Sequence, residues 1–277
     1  MVGKARGILR KGRVGTPQLS RYVKASDGLP ARSVGPWSKE KLQIVGMYMG
    51  VFTTSMKRKW AGLTYVDLFA GPGLCIVRST RDELDGSPLL ALRTKTPFTT
   101  VVCVEEDLEA RQALEERVRR RGQTAEVLPG DCNAIIDNVI DKMPKRSLSL
   151  VFIDPEGVKD LDITTIQKLG KARNVDLIIL FAQNMAVNRN RWQWLAQTDT
   201  PLDKLLGENW RTEKTPEVMQ FMEALRKSGF SFVESARRAF RNKRGARLYY
   251  LVFASKSPVA ARFWRKISGD EHQMSLL

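Results

Sequence analysis

Histidine is nearly missing from this sequence: His272 is the only one in 277 residues. Catalysis by a histidine base and metal binding through histidines are thereby all but excluded, and an active site must work with carboxylates, amides and backbone groups. Cysteine is scarce too. Cys75, Cys103 and Cys132 lie far apart with no CxxC pair, which argues against a zinc site and against a disulfide framework, so no metal is expected. No apolar run approaches the ~20 residues that a membrane-spanning helix needs. The basic N-terminus is not followed by an apolar stretch, so no secretory signal is read, and a cytoplasmic protein without membrane association is the expectation. Acid is the other shortage, with 30 Asp and Glu against 46 Lys and Arg.

That imbalance gives a formal charge of +16, and it is concentrated. Residues 1–36 carry Lys4, Arg6, Arg10, Lys11, Arg13, Arg21, Lys24 and Arg32 against Asp27 alone. A second cluster runs from Arg226 to Arg247. Two basic clusters flanking an apolar core are the footprint of a polyanion, and nucleic acid is the partner they favour. A solubilising tail, or contact with an acidic protein or a membrane surface, would carry the same charge. The apolar share of 43% is enough for a sizeable core.

Residues 1–37 are read as a basic, flexible arm, since they are rich in Gly, Arg, Ser and Pro and show no apolar period. Residues 38–268 form the folded domain and 269–277 a tail. Ser38 is placed as the cap of a helix over about 39–60, whose Leu42, Val45, Met49, Phe52 and Met56 recur at three- and four-residue steps. Strands and helices then alternate: strands at 63–69, 99–106, around 125–131, 147–154 and 175–182, with helices between them. Ser87-Pro88 reads as a helix cap followed by proline in the first turn. The strands are continuous apolar runs, as in a parallel sheet covered on both faces. FSFVESARRAF and ARLYYLVFAS, joined by RNKRG, read as a closing hairpin. The expected fold is therefore α/β: a Rossmann-like, mostly parallel sheet that ends in an antiparallel hairpin, with helices on both faces, as in class I methyltransferases.

Four strand ends carry chemistry. In Asp67-Leu68-Phe69-Ala70-Gly71-Pro72-Gly73, an acid closes a strand and a glycine turn lets backbone approach a ligand. The pattern DxFxGxG matches sites for S-adenosylmethionine (AdoMet) better than a phosphate cradle, and no P-loop GK[ST] follows. Asp67, Phe69, Gly71 and Gly73 are thus candidate cofactor residues. Glu105 ends the next strand, where an acid can accept from both ribose hydroxyls; Glu106 competes with it. The separation of about 38 residues exceeds the ~20 of a compact unit, so an insertion is placed at 74–86. Asp131 can accept from an adenine amino group while the neighbouring Cys132 amide donates to the ring; Asp131 can also simply cap the next helix.

Asp154-Pro155-Glu156-Gly157 follows the fourth strand. Methyl transfer from a sulfonium is an in-line displacement that gains mainly from alignment. The segment resembles the DPP[YF] or NPP[YF] loop of amino-methyltransferases, in which the acid and the proline carbonyl hold the target amino group; that resemblance implies Asp154 and Pro155 as the candidate catalytic residues. Pyrimidine C5 chemistry is rejected, because no cysteine nucleophile follows the fourth strand. After the fifth strand Asn184, Arg189, Arg191 and Trp192 can meet bases and phosphates, and Arg238, Arg241, Lys243 and Arg244 of the hairpin can meet phosphates.

As a set, the KLQIV helix, YVDLFAGPG, DGSPLLAL, VCVEED, GDCN, FIDPEG, LDKLLGENW and RLYYLVFASKSP resemble the three-Cys-motif partner (TcmP) family of methyltransferase-like proteins over about residues 38–268. The resemblance implies a class I methyltransferase fold, AdoMet binding and a companion protein with a three-cysteine, radical-AdoMet-like motif. It names no substrate. The family pattern at the fourth motif is closer to DPFG, so Glu156 departs from it. DPFG-like loops also occur in tRNA guanine-N2 dimethyltransferases, which implies an exocyclic amine as acceptor; with glutamate here, stacking must come from elsewhere, from Phe181 or Trp192. The expectation is an AdoMet-dependent methyltransferase acting on nucleic acid, RNA ahead of DNA. A non-catalytic nucleic-acid-binding or adaptor subunit of the same fold is the alternative, and a protein methyltransferase a third.

Overall fold

The computed structural model describes residues 21–269 other than 237–239, 242–244 and 246. The described chain begins with a hairpin, β1 (Tyr22–Lys24) and β2 (Pro30–Val34), and continues into helix α1 (Trp37–Met56). The first sheet strand, β3 (Gly62–Asp67), follows. It leads to two short strands, β4 (Leu74–Val77) and β5 (Glu83–Asp85), and to helix α2 (Ser87–Leu92). Alternation then becomes regular: β6 (Thr100–Glu105), α3 (Leu108–Arg120), β7 (Glu126–Pro129), α4 (Cys132–Asp141), β8 (Ser147–Ile153), α5 (Ile163–Lys171) and β9 (Val175–Phe181). A π-turn at Gln183–Val187 opens helix α6 (Asn188–Leu195), followed by α7 (Pro201–Leu206) and α8 (Glu217–Lys227). Strands β10 (Phe232–Ser235), β11 (Phe240–Arg241) and β12 (Arg247–Ser255) and helix α9 (Pro258–Gly269) complete the described chain.

The main sheet runs β10-β12-β9-β8-β3-β6-β7, with β11 paired to β12. Strands β7, β6, β3, β8 and β9 are mutually parallel, and β12 lies antiparallel between β9 and β10. A parallel sheet closed by an inserted reversed strand is the class I methyltransferase arrangement, as the apolar patterning led one to expect. Every residue of β9 is buried, and every residue of β8 except Leu148, so both faces of the sheet are covered. Helix α1 packs on α2 and α9, while α5 packs on α4 and α8. No helix among the described residues is long and apolar enough to cross a membrane.

Two boundaries differ from the sequence reading. Helix α1 starts at Trp37 with Pro36 in the cap position, so Ser38 sits buried in the first turn and is not the cap. At α2 the cap is Gly86, not Ser87. The Gly86 amide donates to the Gly73 carbonyl at 2.7 Å, and a Cβ on Gly86 would stand 2.9 Å from that oxygen, so only glycine fits this approach.

The larger difference concerns the expected arm. Residues 21–36 are folded: β2 runs parallel to β4, which pairs antiparallel with β5, and the hairpin and the insertion together make a second, four-stranded sheet. Ala25, Ala31 and Ile76 form its small core. Arg117 of α3, almost fully buried, fastens it. Its guanidinium donates to both Asp27 oxygens at 2.7 and 2.9 Å, to the Pro30 carbonyl at 2.8 Å and to the Pro72 carbonyl at 2.6 Å. One side chain thus ties the hairpin to the glycine turn after β3. Residues 1–20 of the arm and 270–277 of the tail lie outside the described residues.

Candidate cofactor and acceptor site

Asp67, Glu105, Asp131 and Asp154 all stand at the carboxyl ends of adjacent parallel strands, in the lateral order β8-β3-β6-β7. This is the edge at which α/β sheets hold ligands. Asp67 is fully buried; its carboxylate accepts from the Tyr65 hydroxyl at 2.9 Å and the Phe69 amide at 3.2 Å. Burial pushes its carboxyl up to about 6, with the nearby Asp154 charge adding to the rise, against hydrogen bonds from Ser87, Tyr65 and the Phe69 amide. The strand-end acid is thus braced to shape the turn that follows it.

In that turn Gly71 and Gly73 have φ of 62° and 82°, which other residues rarely adopt. Glu105 faces the turn. It accepts from the Gly71 amide at 2.7 Å and from the Asp107 amide at 2.9 Å, and each oxygen keeps a further lone pair for a hydroxyl. Glu106 points to solvent instead. Asp131 is exposed and caps α4, accepting from the Asn133 amide at 2.9 Å; the capping reading of Asp131 is therefore realised. Cys132 is buried, and that burial pushes its thiol up to about 12, so it remains protonated. Asn133 was not anticipated. Its amide reaches the Asp160 carbonyl, and its oxygen accepts from the Asp162 amide and the Thr165 hydroxyl, which joins the loops after β7 and β8.

A cavity of about 380 Å³ opens beside the glycine turn. Phe69, Gly71 and Gly73 line it, as do Asp154, Pro155 and Glu156 of the loop after β8. The fourth and first motifs therefore share one wall. Asp67, Glu105, Asp131 and Cys132 lie outside that lining. The other walls come from the segment expected to be a free arm and from α1: Arg21, Arg32, Trp37, Ser38 and Lys41, with Arg78 of the insertion.

These basic residues explain the departure at Glu156. Glu156 Oε1 receives Arg21 Nε and Arg32 Nη2, both at 2.8 Å. Two residues earlier, Lys41 Nζ forms a short ion pair with Asp154. Burial works against the Arg32 charge, but Glu156 and Asp154 outweigh it and hold its pKa above the usual value. The sequence reading counted Arg21 and Arg32 only as arm charges and assigned Lys41 no role. Their signal was spread over more than 100 residues, which no local motif shows.

Beyond β9, Trp192 is 84% exposed on α6 and Arg189 is exposed beside it. Arg191, expected to be a phosphate contact, is instead drawn inward: it pairs with buried Glu217 and lies 5.7 Å from the Trp210 ring. Phe181 is no stacking platform either, because it is buried against Phe221 with ring centroids 4.9 Å apart. Arg241 is exposed and donates to the Gly245 carbonyl. Arg238, Lys243 and Arg244, and the side chain of Asn184, lie outside the described residues.

No protein-family model matches the chain, and no curated protein matches it. Solved structures do. Protein LPL1258 from Legionella pneumophila superposes with a TM-score of 0.53 at 12% identity, over 78% of this chain and 85% of that one. The METTL16 methyltransferase domain gives a TM-score of 0.48 at 13% identity, covering 80% and 68%. TYW2 of M. jannaschii, solved with AdoMet, gives 0.42 at 11% identity, covering 84% of each. At 12% identity the likeness to LPL1258 is one of fold.

Proposed function

We propose that this chain is an AdoMet-dependent methyltransferase that acts on a nucleic acid, RNA ahead of DNA, at a base amino group. The observation that carries the reading is the shared edge: the glycine turn after β3 and the Asp154-Pro155 loop after β8 line one cavity, with Glu105 held against the same turn. The residues fit the cofactor. Glu105 keeps acceptor capacity for two ribose hydroxyls, Gly71 leaves open the space that a Cβ would take beneath Arg32, and Asp131 stands one strand further out for the adenine. AdoMet supplies an electrophilic methyl group on a sulfonium. This chain's part is to hold the acceptor amine on Asp154 and the Pro155 carbonyl and to align it; alignment of this kind is worth about 7–11 kcal/mol in favourable cases. Trp192 is the exposed aromatic left for a base. The TcmP resemblance adds a radical-AdoMet-like companion, and the basic balance fits a cytoplasmic nucleic-acid partner.

Calorimetry with AdoMet and with its demethylated product tests the cofactor. Binding should appear with the wild type and vanish with Asp67→Ala combined with Glu105→Ala. Labelled AdoMet incubated with total RNA, DNA and protein fractions then tests transfer. One observation favours the adaptor reading: Asp154 and Glu156 are both held by cations of the same chain. Cofactor binding without transfer to any fraction would select the adaptor.

A further inference from the structure

The cavity beside the glycine turn has a cationic wall made by Arg21, Arg32 and Arg78. Arg32 reaches it from β2 with 18% of its side chain exposed, and its Nε is buried without a hydrogen-bond partner while Nη2 holds Glu156. A buried guanidinium N–H left unmatched beside a cavity is a donor waiting for an acceptor, because such groups are almost always satisfied. Arg21, at the rim, points its own Nε at the same Glu156 oxygen. Arg78 completes this side, anchored on the Ser33 carbonyl at 2.8 Å and lying over Trp37.

We infer that Arg32 and Arg21 form a seat for a phosphate of the nucleic-acid acceptor, and that the Glu156 carboxylate occupies this seat until the acceptor arrives. The inference rests on reading residues 154–157 as the acceptor loop. Three observations support it. Two guanidiniums converge on a single carboxylate oxygen, whereas a phosphodiester would offer each its own oxygen. The Glu156 side chain is 46% exposed and Arg21 47%, so their pairing is weak and readily exchanged. Glu156 also lies two residues from Asp154 and lines the same cavity, so the seat and the loop that would present the amine share one site. The departure from an aromatic at this position then has a purpose: the loop carries its own stand-in for the substrate's charge, and a ligand without a phosphate has nothing to exchange for it.

Titration of the full chain with inorganic phosphate and with a random single-stranded RNA octamer tests the seat, with AdoMet titrated in parallel. Glu156→Gln should raise affinity for phosphate and for the octamer about 10-fold, since it removes a competing anion from two cations. Adding Arg32→Gln should abolish that gain, and Arg32→Lys, which keeps charge but loses the fork, should restore only part of it. Thermal melting of each variant checks folding. Unchanged phosphate and octamer binding in Glu156→Gln overturns the inference. So does a gain for AdoMet in place of phosphate, which would assign the seat to the cofactor's carboxylate. Failure of the wild type to bind AdoMet would sink the proposed function, yet phosphate titration would still judge the seat.

Discussion

The Lys41 ammonium rests on the Asp154 carboxylate, so helix α1 and the loop after β8 are joined by one charge pair between residues far apart in the chain. Both side chains are mostly buried, with 11% and 18% exposed, and the pair therefore matters more than a surface one. Lys41→Met should leave Asp154 without its partner and with freedom to swing. We expect transfer to slow by 10- to 100-fold with cofactor affinity little changed, and the protein to lose about 1–2 kcal/mol, a fall of roughly 2–8 °C in melting temperature. Steady-state kinetics and calorimetric melting check both; an unaltered kcat would show that Lys41 only packs.

Arg117 clamps the hairpin of the small sheet to the glycine turn. Arg117→Met keeps the stem but removes the guanidinium that donates to Asp27 and to the Pro30 and Pro72 carbonyls, leaving Asp27 the Leu29 amide. Loss of about 2–4 kcal/mol is expected. Limited proteolysis should then cut near residues 25–29 well before the main sheet is attacked, and uniform resistance would refute the clamp.

Trp192 separates function from stability. Since it stands almost wholly in solvent, Trp192→Ala should not move the melting temperature by more than about 1 °C. Stacking on a base is worth about 1–3 kcal/mol, so single-stranded RNA should bind about 5- to 150-fold more weakly. Fluorescence anisotropy with a labelled oligonucleotide decides it.

Asp176 gives a pH test remote from the site. It is buried, and burial pushes its carboxyl up to about 6 even though the Ser255 and Tyr48 hydroxyls donate to it. A carboxyl whose folded pKa lies above its unfolded one favours the native state most when protonated. Its contribution is full below about pH 4 and is lost as pH rises through about 6, on the order of 2–3 kcal/mol. Asp67, raised likewise, acts in the same window. Urea midpoints of the wild type and Asp176→Asn at pH 4.5 and 7 should show a shallower pH dependence in the variant. An equal dependence in both would mean that Asp176 does not titrate there.

The main sheet was legible because each of its strands carries its own signal. SLSLVFI and VDLIILF are long apolar runs, and Asp67, Glu105 and Asp154 lie at or next to strand ends fixed by those runs. The small sheet was not legible. Its strands are three to five residues long, β2 begins with proline, and β2 pairs with β4 across some forty residues of chain. Charge counting misled in the same place: Arg21 and Arg32 were read as free because their partner, Glu156, lies more than 120 residues away. The partner of Arg191 was equally hidden, since the buried Glu217 lies on another helix.

The folded hairpin also decides where the preceding twenty residues are moored. Because Arg21 sits on the rim of the cavity, the five cations among residues 1–20 join the described chain at that rim. A polyanion bound through those charges would thereby be held at a raised local concentration beside the cavity.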